Sequence, residues 1–321
     1  MKVADMTLRP ATLDDAAFVA DILTERHPDD PEDPQLTRHW WTIQDPEATV
    51  ERFIASAGGA DIGYVMRSHE SWAKMPKRFG RMSCSLRPAS WSAARVDALI
   101  EAMEERQRGD GAKRVTMWAW EDDPDYIAIL EQRGFREERR ERFWELDLVE
   151  GRERITKMAA ESRARMKKER ISLLTLAEDS DPQKLEKLKR MSDEAESDVP
   201  TTVPHVTLTM AEFMKWFDSP GLRPDRSWIA RDGDDIVGIS QLAYPPVRGI
   251  VSTDWTGMAR KARGRGIARA LKCETLMQAI ALGVDRVRTD NDSTNAPILH
   301  INETMGYRRR HDGIQFLKEL S

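Results

Sequence analysis

Six consecutive residues, Arg263-Gly264-Arg265-Gly266-Ile267-Ala268, offer the clearest chemistry to be read from residue type and spacing. Two glycines let a backbone turn tightly and approach a ligand closely, because no Cβ stands in the way. The apolar spacing of Ile267, Leu271, Leu276, Ala279 and Ile280 predicts a helix from Ile267 to Leu282, stopped by Gly283, so this turn opens a helix. The free amides of a helix's first turn attract an anion, and Arg263 and Arg265 add positive charge beside them. A pyrophosphate suits such a place; the plainer reading is a loop that uses Gly to turn and Arg to stay soluble. A Walker loop would need Gly-Lys-Ser/Thr, and here Ile267-Ala268 follows Gly266. A dinucleotide fingerprint would place Gly or Ala where Arg269 stands, and would follow a domain's first strand rather than its fourth. An RNA-binding arginine-glycine tract would repeat.

The elements around the turn come from an internal repeat. Shifted by 172 positions, the chain aligns with itself without a gap over about fifty residues. Leu86 falls on Met258, Leu99 on Leu271, Gly111 on Gly283, and Glu131–Phe135 on Glu303–Tyr307. Two copies of one α/β unit are expected, joined near Val149–Arg170. In the second copy, Ile171–Leu176 reads as a strand, followed by helices around Pro182–Glu196 and Thr209–Phe217. A hairpin follows from Ser227–Ala230 and Ile236–Leu242, turning near Gly233-Asp234. Ile250–Met258 and Val284–Thr289 read as strands, Ala296–Met305 as a helix, and Tyr307–Arg310 and Ile314–Leu317 as short closing strands. The first copy repeats the order: strand Thr7–Arg9, helix Leu13–Thr24, strands Asp61–Arg67 and Arg81–Leu86, helix Ala93–Arg108, strand Val115–Ala119, helix Asp125–Arg133 and strand Phe143–Leu148. His27–Pro34 reads as a loop, and the charged join Arg152–Arg170 as a solvated helical connector.

Composition narrows the function further. Charged residues make up 33% of the 321, with 50 basic and 55 acidic, for a net charge of −5. That balance argues against a nucleic-acid partner and leaves room for an acidic cleft that draws in a cationic amine. Cys84 and Cys273 sit in no metal or redox spacing, and the six histidines show no ligand pattern, so neither a metal nor a disulfide scaffold is expected. No apolar run could span a membrane and residues 1–25 lack a signal peptide's apolar core. A cytoplasmic protein without a membrane partner follows, as monomer or homodimer.

At the glycine-arginine turn the sequence resembles the GNAT superfamily of N-acetyltransferases. Their signature, Arg/Gln-x-x-Gly-x-Gly/Ala, is met by Arg263, Gly266 and Ala268; their downstream Asn by Asn295; and their short helix closed by Gly-Phe or Gly-Tyr by Gly306-Tyr307. The resemblance spans the second half, and the two-copy layout resembles the tandem members. It implies an α/β (α+β) chain of two tandem GNAT-like domains, 1–150 and 151–321, each a mixed, mostly antiparallel twisted sheet flanked by helices. It also implies acetyl-CoA as cosubstrate, no metal, and a small-molecule amine as acceptor. In the family the strand before the turn splays from its neighbour and its backbone holds the pantetheine arm; those positions are Thr256, Gly257 and Met258. The pyrophosphate would lie over Arg263, Gly264, Arg265, Gly266, Ile267 and Ala268, with Asn295 on the opposite side.

The first copy has lost the turn. Trp91 stands in the place of Arg263, Ala94 in that of Gly266, and Val96 in that of Ala268, so this copy is expected to bind no coenzyme and to wall the acceptor cleft. For the chemistry, Asp254 is the candidate general base, alternating in phase with Thr256 and Met258, against a plain surface or capping role. Asp290 and Asp292 are weaker alternatives, since Asp-Asn-Asp-Ser commonly forms a turn before a helix. The Met258 N–H is the candidate oxyanion donor. Where the family often has a tyrosine acid, this chain has Asn302, which has no proton to give; nearby His300 reads as structural. Trp40, Trp41, Trp118, Trp120 and Trp216 read as core or interface before an acceptor pocket. A non-catalytic acyl-CoA-binding regulator is the rival reading.

Overall fold

The computed structural model describes residues 1–43 and 45–320. The first copy runs β1 (Lys2–Val3), β2 (Met6–Pro10), α1 (Ala16–Arg26), α2 (Pro34–Thr42), β3 (Thr49–Ala57), β4 (Ala60–His69), β5 (Phe79–Leu86), α3 (Ala93–Gly109), β6 (Arg114–Trp120), α4 (Pro124–Gln132) and β7 (Arg136–Asp147). After α5 (Arg152–Lys168) the second copy runs β8 (Ile171–Thr175), α6 (Lys184–Glu196), α7 (Met210–Phe217), β9 (Ser227–Asp232), β10 (Asp235–Ala243), β11 (Ser252–Met258), α8 (Ile267–Ala281), β12 (Arg286–Asp292), α9 (Ala296–Met305) and β13 (Arg308–Glu319). Among the described residues no helix is long and apolar enough to cross a membrane.

The 172-residue offset is realised in three dimensions. Gly111 and Gly283 end α3 and α8 at φ 89° and 80°, and Gly134 and Gly306 follow α4 and α9 at φ 85° and 89°, a left-handed region that favours glycine. β7 and β13 begin and end at the same offset. β1 is an additional strand, β7 begins at Arg136 rather than Phe143, and three further elements differ from expectation. The two short closing strands are one, β13, with an irregular register between Arg309 and Asp312. α2 follows directly on the loop, started by Asp33, whose carboxylate accepts from Gln35 N at 2.8 Å and Leu36 N at 3.0 Å, with Pro34 in the first turn. β3 is a strand that the sequence reading passed over.

One sheet of thirteen strands carries the fold, in the order β1-β2-β3-β4-β5-β6-β13-β7-β12-β11-β10-β9-β8. At its centre the copies exchange a strand: β13 of the second lies beside β6 of the first, and β7 of the first beside β12 of the second. Apolar burial fixes the exchange. Ile314, Phe316 and Leu320 enter the core of the first copy with Leu86 and Leu99, while Trp144, Leu146 and Leu148 enter that of the second with Leu276 and Val287. Each such side chain contributes about 1.5–3 kcal/mol on burial. The connector α5 is charged outward, but Ile155, Ala159, Ser162 and Met166 are buried and it packs on α8.

Candidate active site

At the turn, Gly264 and Gly266 take φ 75° and 80°, as close backbone approach requires. Gly266 is the N-cap of α8, and no side chain caps the helix, so its first-turn amides remain directed outward. The first copy differs in the same place. Ser92 caps α3, its Oγ accepting from Arg95 N at 3.3 Å, and Trp91 packs half-buried on the core. Arg263 pairs with Asp198 at 2.7 Å and donates to the Met258 carbonyl at 3.2 Å. Arg265 pairs with Glu169 at 2.8 Å and Asp232 at 2.6 Å. A third guanidinium arrives unforeseen: a Cβ on Gly266 would lie 2.9 Å from Arg165 Nη1. Arg165 sits on α5, remote in sequence, and no local signal marks it. Ile267 is buried and Ala268 half-buried at the helix start.

β11 leaves β12 almost at once. The two parallel strands share only the register pair Ser252↔Arg288, so the edge of β11 beyond it faces no strand. On the other edge Ala259 N donates to Val237 O, and the pairs Ile239↔Gly257, Ser240↔Thr256 and Gly238↔Met258 follow. By the alternation of an antiparallel ladder, Gly257 bonds β10 while Thr256 and Met258 turn their N–H and C=O toward the open side. Two of the three expected backbone positions therefore face the opening, the Met258 N–H among them. The Met258 side chain fills the place a Cβ on Gly238 would need, its Sδ 2.5 Å from that point.

Asp254 sits on a β-bulge. The register steps from Gln241↔Trp255 to Leu242↔Thr253 and leaves Asp254 as the extra residue. Its carboxylate accepts from Gln241 Nε2 at 2.8 Å, whereas Thr256 Oγ1 meets Ser240 Oγ at 3.0 Å. Neighbouring residues on β10 face opposite sides, so Asp254 does not share the face of Thr256 and Met258. The bulge reverses the alternation on which that expectation rested. Burial raises the Asp254 carboxyl to about 6, against the Gln241 hydrogen bond and with help from the Asp290 charge.

Asp290 is open to water yet enclosed by protein on most sides, and its pKa is raised chiefly by desolvation. Glu141, on β7, is lifted to about 7 by burial and by Asp290, opposed by Arg139. Carboxylates from β11, β12 and β7 thus lie close enough to raise one another, and Glu141 joins the group only through the strand exchange. Asp292 behaves as its turn motif predicts, accepting from Thr294 N at 2.8 Å. Asn302 is fully buried, donates to Asn291 Oδ1 at 2.6 Å, and keeps a buried Oδ1 without a partner. Asn291 and Asp290 are successive on β12, so Asn302 lies across the sheet from the carboxylates. Asn295 is the half-buried N-cap of α9, making no side-chain cap, and His300 is exposed. Buried Lys272, 5.4 Å from the Tyr307 ring, is lowered to about 8 by desolvation.

The loop before α2 is tied to the second copy beside these carboxylates. Asp33 Oδ2 accepts from Val247 N at 2.6 Å and Arg248 N at 3.0 Å, and Arg288 on β12 pairs with Asp30 at 2.8 Å and Glu145 at 2.7 Å. Trp120 packs on Phe143 with ring centres 4.7 Å apart and on His311 at 4.8 Å. Trp118, by contrast, is 41% exposed.

A doubled sheet with a splayed strand and a glycine turn in one copy matches the tandem GNAT fold. Over 98% of both chains it is similar to a tandem GNAT protein from the clavulanic acid biosynthesis pathway, at 13% identity and TM-score 0.75. A GCN5-related N-acetyltransferase from Sphaerobacter thermophilus matches 99% of this chain and 97% of its own at 19% identity and TM-score 0.68. A GNAT-family acetyltransferase from Colwellia psychrerythraea matches 98% and 100% at 11% and 0.59. No family model and no curated protein matches the sequence.

Proposed function

We propose that this protein is an acetyl-CoA-dependent N-acetyltransferase acting on a small-molecule amine, with residues 151–321 holding the active site and residues 1–150 walling it. One observation carries the reading: an uncapped helix N-terminus with two left-handed glycines stands directly after a strand that leaves its neighbour. The residues there fit the coenzyme. The outward amides of the turn suit a diphosphate, and Arg263, Arg265 and Arg165 lie within reach to balance its charge. The open edge of β11 at Thr256 and Met258 suits an amide-bearing arm, held as an added strand would be. The thioester supplies an activated acyl carbon.

This chain's own residues then have three tasks. Asp254, ionised above about pH 6, takes the proton of the incoming ammonium directly or through water. The Met258 N–H donates to the oxygen as negative charge develops on it. Asn302, buried against Asn291, has no proton to give, so the departing thiolate is protonated by solvent. Holding both reactants in line supplies a further share of rate, on the order of 7–11 kcal/mol in favourable cases. The test is release of free coenzyme A with a panel of amines. Saturable, amine-dependent release supports the enzyme; tight acetyl-CoA binding with no release leaves the non-catalytic regulator in its place.

A further inference from the structure

The first copy has a strand splay of its own. β5 and β6 pair in parallel only from Phe79↔Arg114 to Arg81↔Thr116, and beyond that a cavity of about 150 Å³ opens between them. Arg26, Ser83, Ser85, Trp120, Asp123 and Tyr126 are among its walls. By the 172-residue offset Ser85 and Asp123 hold the places of Gly257 and Asn295, so the cavity is the counterpart of the thioester slot. Its mouth cannot grip a diphosphate, because Ser92 caps α3 and Trp91 occupies the turn.

The lining is not self-satisfied. Arg26 pairs with Asp123 through Nη2, but its Nη1 is buried with no partner, a position that is destabilising until an acceptor oxygen meets it. The Arg26 guanidinium lies 4.8 Å from the centre of the Tyr126 ring, and burial raises the Tyr126 hydroxyl, which stays neutral as donor and acceptor. Asp30, Glu32 and Asp123 also line the cavity, a sign of charge that rejects an anion. Hydroxyl oxygens satisfy Arg26 without that penalty, and Trp120 adds apolar wall to the cavity.

A chain of contacts links the cavity to the carboxylates. Phe143 is the register partner of Asp290, and its ring packs on Trp120 at 4.7 Å, which lines the cavity. From β12 to β6 is three strand spacings, about 14 Å.

We propose that the first copy's emptied slot is a subsite for the acceptor: it receives the hydroxylated far end of an elongated polyhydroxy amine whose reacting nitrogen lies near Asp254 and Asp290. This rests on the acetyltransferase reading. The test compares glucosamine, its β-1,4-linked dimer and trimer, and spermidine, by steady-state coenzyme A release and by calorimetric binding to the whole chain. Expected is a rise of tenfold or more in kcat/KM from glucosamine to trimer, with spermidine no better than glucosamine. Ala119→Leu, which narrows the cavity, removes the trimer's advantage while leaving glucosamine turnover and acetyl-CoA affinity unchanged. Should that variant fail to fold, Tyr126→Phe deletes one hydroxyl and lowers trimer kcat/KM three- to tenfold. No length dependence, a preference for spermidine, or variants that affect every acceptor equally would overturn the subsite. If no amine is turned over but the trimer binds and Ala119→Leu abolishes that binding, the subsite stands and the acetyltransferase reading falls.

Discussion

Gly266→Ala against Gly264→Ala separates backbone strain from loss of the ligand's seat. Both glycines are left-handed, at φ 80° and 75°, and an L-residue there costs about 1–2 kcal/mol. Nothing lies within 4 Å of a Cβ on Gly264, whereas one on Gly266 meets the Arg165 guanidinium at 2.9 Å. That guanidinium ends a flexible side chain, so in the free protein it swings aside at little cost. With a diphosphate present, the methyl stands between the anion and both the amides and Arg165. A charge-assisted hydrogen bond is worth about 1.5–3 kcal/mol, and each 1.4 kcal/mol is tenfold. Losing one raises the acetyl-CoA Kd roughly 10- to 100-fold for Gly266→Ala, while Gly264→Ala stays within about threefold. Isothermal calorimetry with acetyl-CoA, beside thermal unfolding of all three proteins, reads both quantities. Equal losses of stability with unequal losses of affinity are expected. Wild-type affinity in Gly266→Ala would refute the idea that this turn seats the coenzyme.

Two other perturbations test the titrating groups. The Asp254 carboxyl is raised from 3.8 to about 6, so as the base it makes kcat/KM climb with pH up to about 6 and then level, apart from the acceptor amine's own limb higher up. Asp254→Asn removes the limb near pH 6 and lowers kcat by about 10²–10⁴; a limb that survives in the variant assigns it elsewhere. Lys272 is lowered from 10.5 to about 8 by burial, and the first copy holds Ile100 at the same offset. Because the unfolded chain then binds more protons between those values, wild-type stability rises with pH from about 8 to 10.5. Lys272→Ile is expected to be more stable by about 1–3 kcal/mol at pH 7, with the gain shrinking above pH 8. Denaturant unfolding at several pH values checks this, and a destabilised variant would mean that the ammonium is held by contacts stronger than its desolvation.

What could be read in advance was local. Gly264, Gly266 and the periodic helix after them announce the turn by residue type, and the repeat carries α3, β6 and α4 onto α8, β12 and α9 at one offset. Asp33-Pro34 was a readable helix start, but the proline-rich stretch before it weighed toward a loop. β3 was missed because Phe53, Ile54 and Ala55 are buried in succession, which breaks the period of two. The remaining misses come from tertiary geometry. One extra residue at Asp254 reverses a face, and no pattern of types reveals a bulge. Arg165 and Glu141 reach the site through a packed helix and an exchanged strand, contacts that link positions far apart along the chain.

The exchanged strands also set an order on synthesis. As the first copy leaves the ribosome, the edge of β6 has no neighbour, and the partner it needs is β13, made last of all the strands. An open edge of that kind invites pairing with other chains while translation continues. Each copy's sheet is completed by a strand of the other, so a cut between Leu148 and Arg152 is expected to leave each fragment with an open edge until the two meet.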